Sequence, residues 1–449
     1  MAATQKKRKP AAIAIPTNDI EDFSESETLD IRSALLRWYD ENLRDLPWRA
    51  PETTTGTLLT PADVEQRAYM VWVSEVMLQQ TRVSTVIGYF NRWMEKWPTI
   101  RDLAAATLEE VNEMWAGLGY YRRARFLLEG AKAIVDEGKF PRSASELRRV
   151  KGIGDYTAGA IASIAFNEVV PAVDGNVVRV ITRLKAISAN PKEAGTVKLL
   201  WKLARQLVDH LRPGDFNQAI MELGATLCSS TNPTCSKCPV FDQCRAFLLS
   251  KKSEKLKVTD YPTKVAKTKQ RQNFAAVSVV EIAEFDEQVL NYNGQKSVFL
   301  LVKRPENGLL AGLWEFPSVI LDEGSMNQCM RRKEIDNYLK KFFELDVGEN
   351  CRVMLRKDVG EYIHVFSHIR LQMYVELLVL TLKEGFTQLN SAENGSSITW
   401  KCVDGNSIRN MGLTSGVRKV YNMTRDFKEE KVLQKPKRMP SKKAKLLLK

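Results

Sequence analysis

The chain has 449 residues, too many for one compact core and enough for two or three domains. Hydrophobic residues make up 44% and charged residues 27%, an ordinary globular balance, and no apolar run reaches the roughly 18 residues that would suggest a membrane span. The net charge of +13 and pI of about 9.3 point to a polyanionic partner; residues 428–449 hold nine Lys/Arg against two Glu, but the remaining excess is spread over the rest of the chain.

Residues 1–28 are polar and predict a disordered N-terminus, and MAATQKKRKP has no apolar stretch of a secretory signal. From Leu29 to Leu249 the spacing is helical, as in Trp72, Val73, Val76, Met77, Gln80 and Val83, or Leu199, Leu203, Leu207 and Leu211. The Thr-rich stretch from Pro51 to Asp63 interrupts it and reads as a surface loop. AYMVWVSEVMLQQTRV predicts one amphipathic helix, with Tyr69, Val73, Val76, Met77 and Gln80 buried and Glu75, Gln79 and Arg82 on the adjoining polar face. Such a face is ordinarily solvated. Trp72 and Leu78 instead set Glu75 at the edge of a cavity, where its pKa would rise towards that of a neutral-pH acid.

WAGLGYYRRARFL interleaves Gly117, Gly119, Tyr120 and Tyr121 with Arg122, Arg123 and Arg125, which suits base stacking and duplex invasion; two tyrosines packed on a helix cap give the same pattern. LRRVKGIGDYTAGAIASIAF reads as helix, turn (Lys151, Gly152, Ile153, Gly154) and helix. Its exposed amides at a helix N-terminus suit phosphate, and an ordinary helical hairpin would look alike. In PAVDGNVVRVITRL, Asp174 stands where an N-cap is expected. Cys228, Cys235, Cys238 and Cys244 follow a C-x6-C-x2-C-x5-C spacing, which in a reducing compartment suits either zinc or an iron–sulfur cluster rather than disulfides.

Residues 250–272 are Lys-rich with few bulky apolar residues and predict a linker. After Asn273 the texture turns β-branched and aromatic: FAAVSVVEIAEF, SVFLLVKR, HIRLQMYVELLVLTL and ITWKCV predict strands, and MRRKEIDNYLKKFFEL a helix. Residues 425–449 form a basic tail, and QKKRKP and QKPKRMPSKKAK look like nuclear-localisation patches.

In their order these motifs resemble those of the adenine DNA glycosylases, a branch of the endonuclease III superfamily; the resemblance runs from about residue 30 to 420. It implies a multidomain protein, with an all-α helix-hairpin-helix glycosylase domain at 29–249, a linker at 250–272, and a C-terminal α+β Nudix-like domain at 273–424 that recognises 8-oxoguanine. WVSEVMLQQTRV matches the family's catalytic run, which makes Glu75 the general acid that protonates adenine N7. By the same resemblance Asp174 stabilises an oxocarbenium-like sugar, Asn176 positions it and Tyr156 lines the pocket. Strand-cleaving relatives carry a Lys where Tyr156 stands, so a monofunctional enzyme is implied.

The resemblance also makes Lys151, Gly152, Ile153 and Gly154 a grip on the DNA backbone and Tyr120 a wedge beside 8-oxoguanine. Arg49 (in LPWR) and Gln79 become pocket or helix-positioning groups. The four cysteines hold a 4Fe–4S cluster, and Phe366, Ser367 and His368 match the 8-oxoguanine recognition signature. The implied partner is duplex DNA bearing A:8-oxoguanine or A:G, met by a monomer in the nucleus, with the mitochondrion a second location. DNYLKKFF loosely resembles the peptide that binds a sliding or checkpoint clamp, with Asp336 where Gln is expected; packing of Tyr338, Leu339, Phe342 and Phe343 on one helix face explains it more simply. The alternatives are a strand-cleaving glycosylase, a non-catalytic damage-binding module and a nucleotide pyrophosphohydrolase. Tyr156, the Glu75–Asp174 pair, and the lack of paired glutamates in RRKEIDNYLKKFF argue against them in turn.

Overall fold

A computed structural model describes residues 22–49, 60–265, 270–283, 297–305, 307–322, 327–382 and 398–433. The chain divides into two units: Met1–Met114 with Arg123–Lys267, and Thr268–Lys449 with the short segment Trp115–Arg122. Among the described residues no helix is long and apolar enough to cross a membrane.

The first unit is built of helices: α1 (Glu25–Asn42), α2 (Pro61–Leu78), α3 (Val83–Lys96), α4 (Ile100–Ala105), α5 (Leu108–Trp115), α6 (Arg122–Glu137), α7 (Ala144–Leu147), α8 (Asp155–Phe166), α9 (Gly175–Leu184), α10 (Ala194–Leu207), α11 (Pro213–Ala225) and α12 (Arg245–Lys252). Reciprocal capping boxes start five of them, at Ser24/Glu27, Thr60/Asp63, Thr99/Asp102, Thr107/Glu110 and Ser143/Glu146. One core joins α1 (Ile31, Leu35), α9 (Val180, Ile181), α10 (Leu200, Leu203) and α11 (Phe216, Leu223). A Cβ on Gly224 would lie 2.6 Å from Asn176 Cβ, so glycine alone lets α11 press on the start of α9.

Several boundaries differ from expectation. The first box starts α1 inside the stretch expected to be disordered, while residues 1–21 lie outside the described residues. Pro61–Asp63, expected as loop, form the first turn of α2 because Thr60 caps them; residues 50–59 lie outside the described residues. α2 ends at Leu78, since Gln80 takes a left-handed φ of 58°, so Gln80 is exposed rather than buried and Arg82 caps α3. Leu211 is 85% exposed because α10 stops at Leu207. Within the expected linker, Val258 and Tyr261 are buried against the helical core, and Arg183 Nε donates to Tyr261 O at 3.1 Å.

The second unit is a seven-stranded mixed sheet of β1 (Arg271–Ala283), β2 (Ser297–Lys303), β3 (Trp314–Glu315), β4 (Ser318–Leu321), β5 (Cys351–Val365), β6 (Ile369–Leu382) and β7 (Trp400–Asp404). Its order is β3-β2-β1-β6-β5, with β4 on β1 and β7 on β2; among the described strand pairs only β1 and β6 run parallel, in register from Arg271↔Ile369 to Ala283↔Thr381. Side chains alternate between faces. Val280, Leu378 and Leu380 meet Ile335, Leu339 and Phe343 of α13 (Gln328–Phe343). Val279, Leu377 and Val379 share the other face with Ile408 of α14 (Gly405–Asn410) and with Val420 and Tyr421 of α15 (Ser415–Leu433). The expected tail from residue 425 therefore begins inside α15, and residues 434–449 lie outside the described residues.

Candidate active site

Glu75 sits in the last full turn of α2 and is only 7% exposed. Tyr156 reaches it from the first turn of α8 and donates its phenol to Glu75 Oε2 at 2.5 Å; Met221 Sδ of α11 lies 3.3 Å from the same hydroxyl. Burial pushes the Glu75 carboxyl up to about 7, and Asp174 adds to the rise. The Tyr156 hydrogen bond and the Arg49 guanidinium pull the other way and lose. Burial and the neighbouring Glu75 drive the Tyr156 phenol well above its ordinary range, so it stays a donor. Sequence alone placed Glu75 at a cavity edge; it is instead enclosed, with its proton half on near neutral pH.

Asp174 is the N-cap of α9, accepting from Asn176 N at 2.9 Å and Val177 N at 2.8 Å. Its other oxygen accepts from Asn176 Nδ2 at 2.7 Å. Burial raises its pKa, and these three donors oppose the rise by favouring the anion. Asp174 is thus both the helix cap and a charge beside Glu75. Arg179 then donates to Asn176 Oδ1 at 2.7 Å, Gly224 O at 2.6 Å and Cys228 O at 2.8 Å, which ties the carboxylate to the start of the cysteine loop.

Arg49 is brought to the site by Glu222 of α11, a residue that carries no local motif to single it out. Arg49 Nη2 donates to Glu222 Oε2 at 2.7 Å, Arg44 donates to both oxygens of the same carboxylate, and Arg49 lies over the Tyr39 ring at 5.5 Å. Burial pushes the Glu222 carboxyl up, but Arg44 and Arg49 outweigh it and hold the group below its ordinary value. One buried anion therefore positions a cation whose field reaches Glu75.

Gln79 closes α2, and the end of that helix is held by Arg123. Its guanidinium donates to Val76 O at 2.8 Å, Met77 O at 3.2 Å and Gln79 O at 2.6 Å. These are the carbonyls a helix leaves open at its C-terminus, one turn from Glu75. Arg123→Ala is expected to cost about 1–3 kcal/mol, read as a lowered Tm. It should slow base release several-fold by loosening Glu75; unchanged Tm and rate would show the three bonds to be idle.

Gly154 caps α8 without a side-chain acceptor, which leaves its first-turn amides for an anion. Gly152 has a φ of +89°, and a Cβ there would come within 2.6 Å of Phe126 Cβ, so the turn needs glycine. Ile153 is buried beneath the turn, while Lys151 is exposed and pairs with Glu129 at 2.7 Å. Tyr120 takes a φ of 48° between Gly119 and Tyr121 and is 47% exposed.

The four cysteines pack against the helical core. Burial pushes Cys238 up to about 12 and Cys244 up to about 11, and the neighbouring thiols add to both. Arg183, 1% exposed, donates Nη1 to Cys228 Sγ at 3.1 Å. Four partly or fully buried thiols, with a guanidinium already on one of them, have the chemistry of a thiolate ligand set that needs positive charge. Among the described residues no three His, Cys, Asp or Glu side chains close on a single ion.

In the second unit Phe366, Ser367 and His368 form the turn between β5 and β6. Phe366 N donates to Ile369 O at 2.8 Å, Gln270 Nε2 to Phe366 O at 2.9 Å, and Arg271 N to His368 O at 3.0 Å. Ser367 and His368 are exposed, with Ser367 Oγ 3.3 Å from His368 Nδ1. A cleft of about 140 Å³ under α13 is lined by charges of both signs: Arg332 pairs with Asp358 at 3.5 Å and with Glu376 at 3.4 Å. Leu339 and Phe343 of the clamp-like run are in the core, as the packing reading expects.

Residues 73–206 match the HhH-GPD superfamily base excision DNA repair protein family, and residues 289–423 match the NUDIX domain family. The helical unit with its hairpin and the appended Nudix-like sheet define a protein of the base-excision DNA repair class. An adenine DNA glycosylase of Arabidopsis thaliana is 56% identical over 90% of this chain and 65% of its own length; one of Mus musculus is 40% identical over 94% of this chain and 84% of its own. The solved structure of a thermostable thymine-DNA glycosylase is 25% identical, covering 50% of this chain and 98% of that one at a TM-score of 0.43. The chain belongs to the adenine DNA glycosylase family. It spans a little under two thirds of the length of its Arabidopsis relative.

Proposed function

We propose that this chain hydrolyses the N-glycosidic bond of adenine mispaired with 8-oxoguanine or guanine in duplex DNA, leaving an intact abasic site. The observation that carries this reading is the Glu75–Tyr156 pair: an enclosed carboxyl poised near pH 7, held by a phenol rather than by an amine. An adenine anion is a poor leaving group. With adenine turned out of the stack, Glu75 gives its proton to N7 and the base departs neutral. The sugar is left with positive charge, which the Asp174 carboxylate stabilises. Glu75, now an anion, takes a proton from the water that adds to the sugar carbon. Tyr156 has no amine to form a Schiff base, so the strand stays whole.

Around this chemistry the residues fall into roles. Lys151, Gly152, Ile153 and Gly154 hold a phosphate, Tyr120 wedges into the stack, and Phe366, Ser367 and His368 read 8-oxoguanine. Cys228, Cys235, Cys238 and Cys244 would hold a 4Fe–4S cluster, whose positive charge would keep the buried thiolates stable and brace their loop. The basic segments at 5–10 and 434–445, both outside the described residues, suit nuclear import. A sliding or checkpoint clamp would reach DNYLKKFF only if Leu339 and Phe343 left the core.

The test is a single-turnover assay on a duplex with A opposite 8-oxoguanine. Adenine should be released, strand breaks should appear only after alkali, and borohydride should trap little covalent complex. Trapping as efficient as that of a lysine-bearing enzyme would overturn the reading.

A further inference from the structure

The lesion-reading turn has a second support besides its backbone bonds. Along β5, Tyr362 and His364 point to one face while Ile363 and Val365 point to the other and are exposed. Phe366 continues the first row. Its ring meets the His364 imidazole edge-on, at 4.4 Å between centroids and 63° between planes. His364 Nδ1 lies 3.3 Å from Tyr362 Oη. On another side the imidazole touches the first turn of α15, where a Cβ on Gly416 would stand 3.4 Å from Nδ1. The imidazole thus lies among Phe366, Tyr362 and the backbone of α15. Ser367, the next residue along, is exposed.

We propose that His364 is a positioning residue for lesion recognition: its ring braces Phe366 and thereby fixes the direction of the Ser367 hydroxyl, without itself meeting DNA. This rests on the reading that Phe366, Ser367 and His368 face 8-oxoguanine. A hydroxyl recognises the altered C8 and N7 of the lesion only when donor and acceptor directions are both set. Burial holds the His364 pKa below its ordinary value, so the ring is neutral near pH 7 and packs as an aromatic. Gly416 belongs to the same device: a Cβ there would already be in van der Waals contact with the imidazole, so a side chain larger than alanine would crowd the ring.

Single-turnover rates and affinities on A:8-oxoguanine and A:G duplexes test this. His364→Ala should lower the preference for A:8-oxoguanine about tenfold, the loss of one good recognition contact, and leave the rate on A:G unchanged. His364→Phe, which keeps a ring against Phe366, should restore most of the preference. Gly416→Val should lower it as His364→Ala does, and it carries the test should His364→Ala fail to fold. A folded His364→Ala or Gly416→Val protein with unchanged preference overturns the proposal, as does an equal loss on both duplexes. Ser367→Ala separates the two levels. If it leaves the preference intact, the reading of the loop fails; if it lowers the preference while His364→Ala does not, only the positioning role fails.

Discussion

Glu75→Gln is expected to bind the mispaired duplex and to release adenine about 10²–10⁴-fold more slowly, the usual cost of losing acid–base catalysis. The amide keeps the shape and still accepts the Tyr156 hydrogen bond, but it has no proton to give. In the unaltered chain the rate should fall as pH rises through about 7, where Glu75 gives up its proton. The same shift fixes a stability signature. The folded pKa is raised from 4.5 to about 7, so between those values the folded state holds a proton that the unfolded state has released. Stability therefore falls as pH rises across that window, and the full cost, about 3 kcal/mol at 1.36 kcal/mol per unit, is present above pH 7. Glu75→Gln removes that cost. The variant should be more stable than the unaltered chain at pH 8 and no different at pH 4, by thermal melts at both values. Excision within tenfold of the unaltered rate, or a melting difference that ignores pH, would show that Glu75 is not the buried acid.

What the sequence disclosed of this site follows from how local each signal is. The glycine turn at 152–154 and the Asp174 cap are local devices that look the same in the chain and in the fold. Glu75 was legible only in part: its apolar neighbours Trp72 and Leu78 marked the edge of a cavity, and its full enclosure depends on Tyr156, which is distant in the chain. Glu222 was not, since its burial depends on Arg44 and Arg49, distant in the chain, and on Gly224 letting α11 close on Asn176. The end of α2 was misplaced for the same reason: apolar spacing runs on to Val83, and what stops the helix is a left-handed Gln80 backed by Arg123 from α6. β5 escaped notice as an edge strand whose exposed run CRVMLRKDVGEYIHV lacks alternation, with register shifts at Val353/Leu355 and Asp358/Gly360. The five elements that were predicted in that unit each bury at least one face, where the apolar period survives; α14 and α15 bury theirs through only a few residues, such as Ile408, Val420 and Tyr421, and went unpredicted.

Asp174→Asn should slow adenine release by about 10²–10³, the scale on which a preorganised electrostatic partner of the transition state acts, and should leave the fold intact. Asparagine caps a helix as well as aspartate does, so the bonds from Asn176 N and Val177 N to residue 174 have a replacement acceptor. What disappears is the charge, and with it the acceptor for Asn176 Nδ2. Because burial raises the Asp174 pKa, the anion is held at some cost in the folded state, and its removal should not lower Tm near pH 7. Asp174→Ala loses cap and charge together and should also lower Tm, by the cost of about 1 kcal/mol for a missing N-cap. The comparison separates two roles that one side chain combines. If Asp174→Asn works at the unaltered rate while Asp174→Ala is merely unstable, Asp174 is a helix cap and the sugar's positive charge is met by another group. If both are slow and only Asp174→Ala melts early, the carboxylate acts on the transition state, and its hold through Asn176 and Arg179 on Cys228 O is what fixes it there.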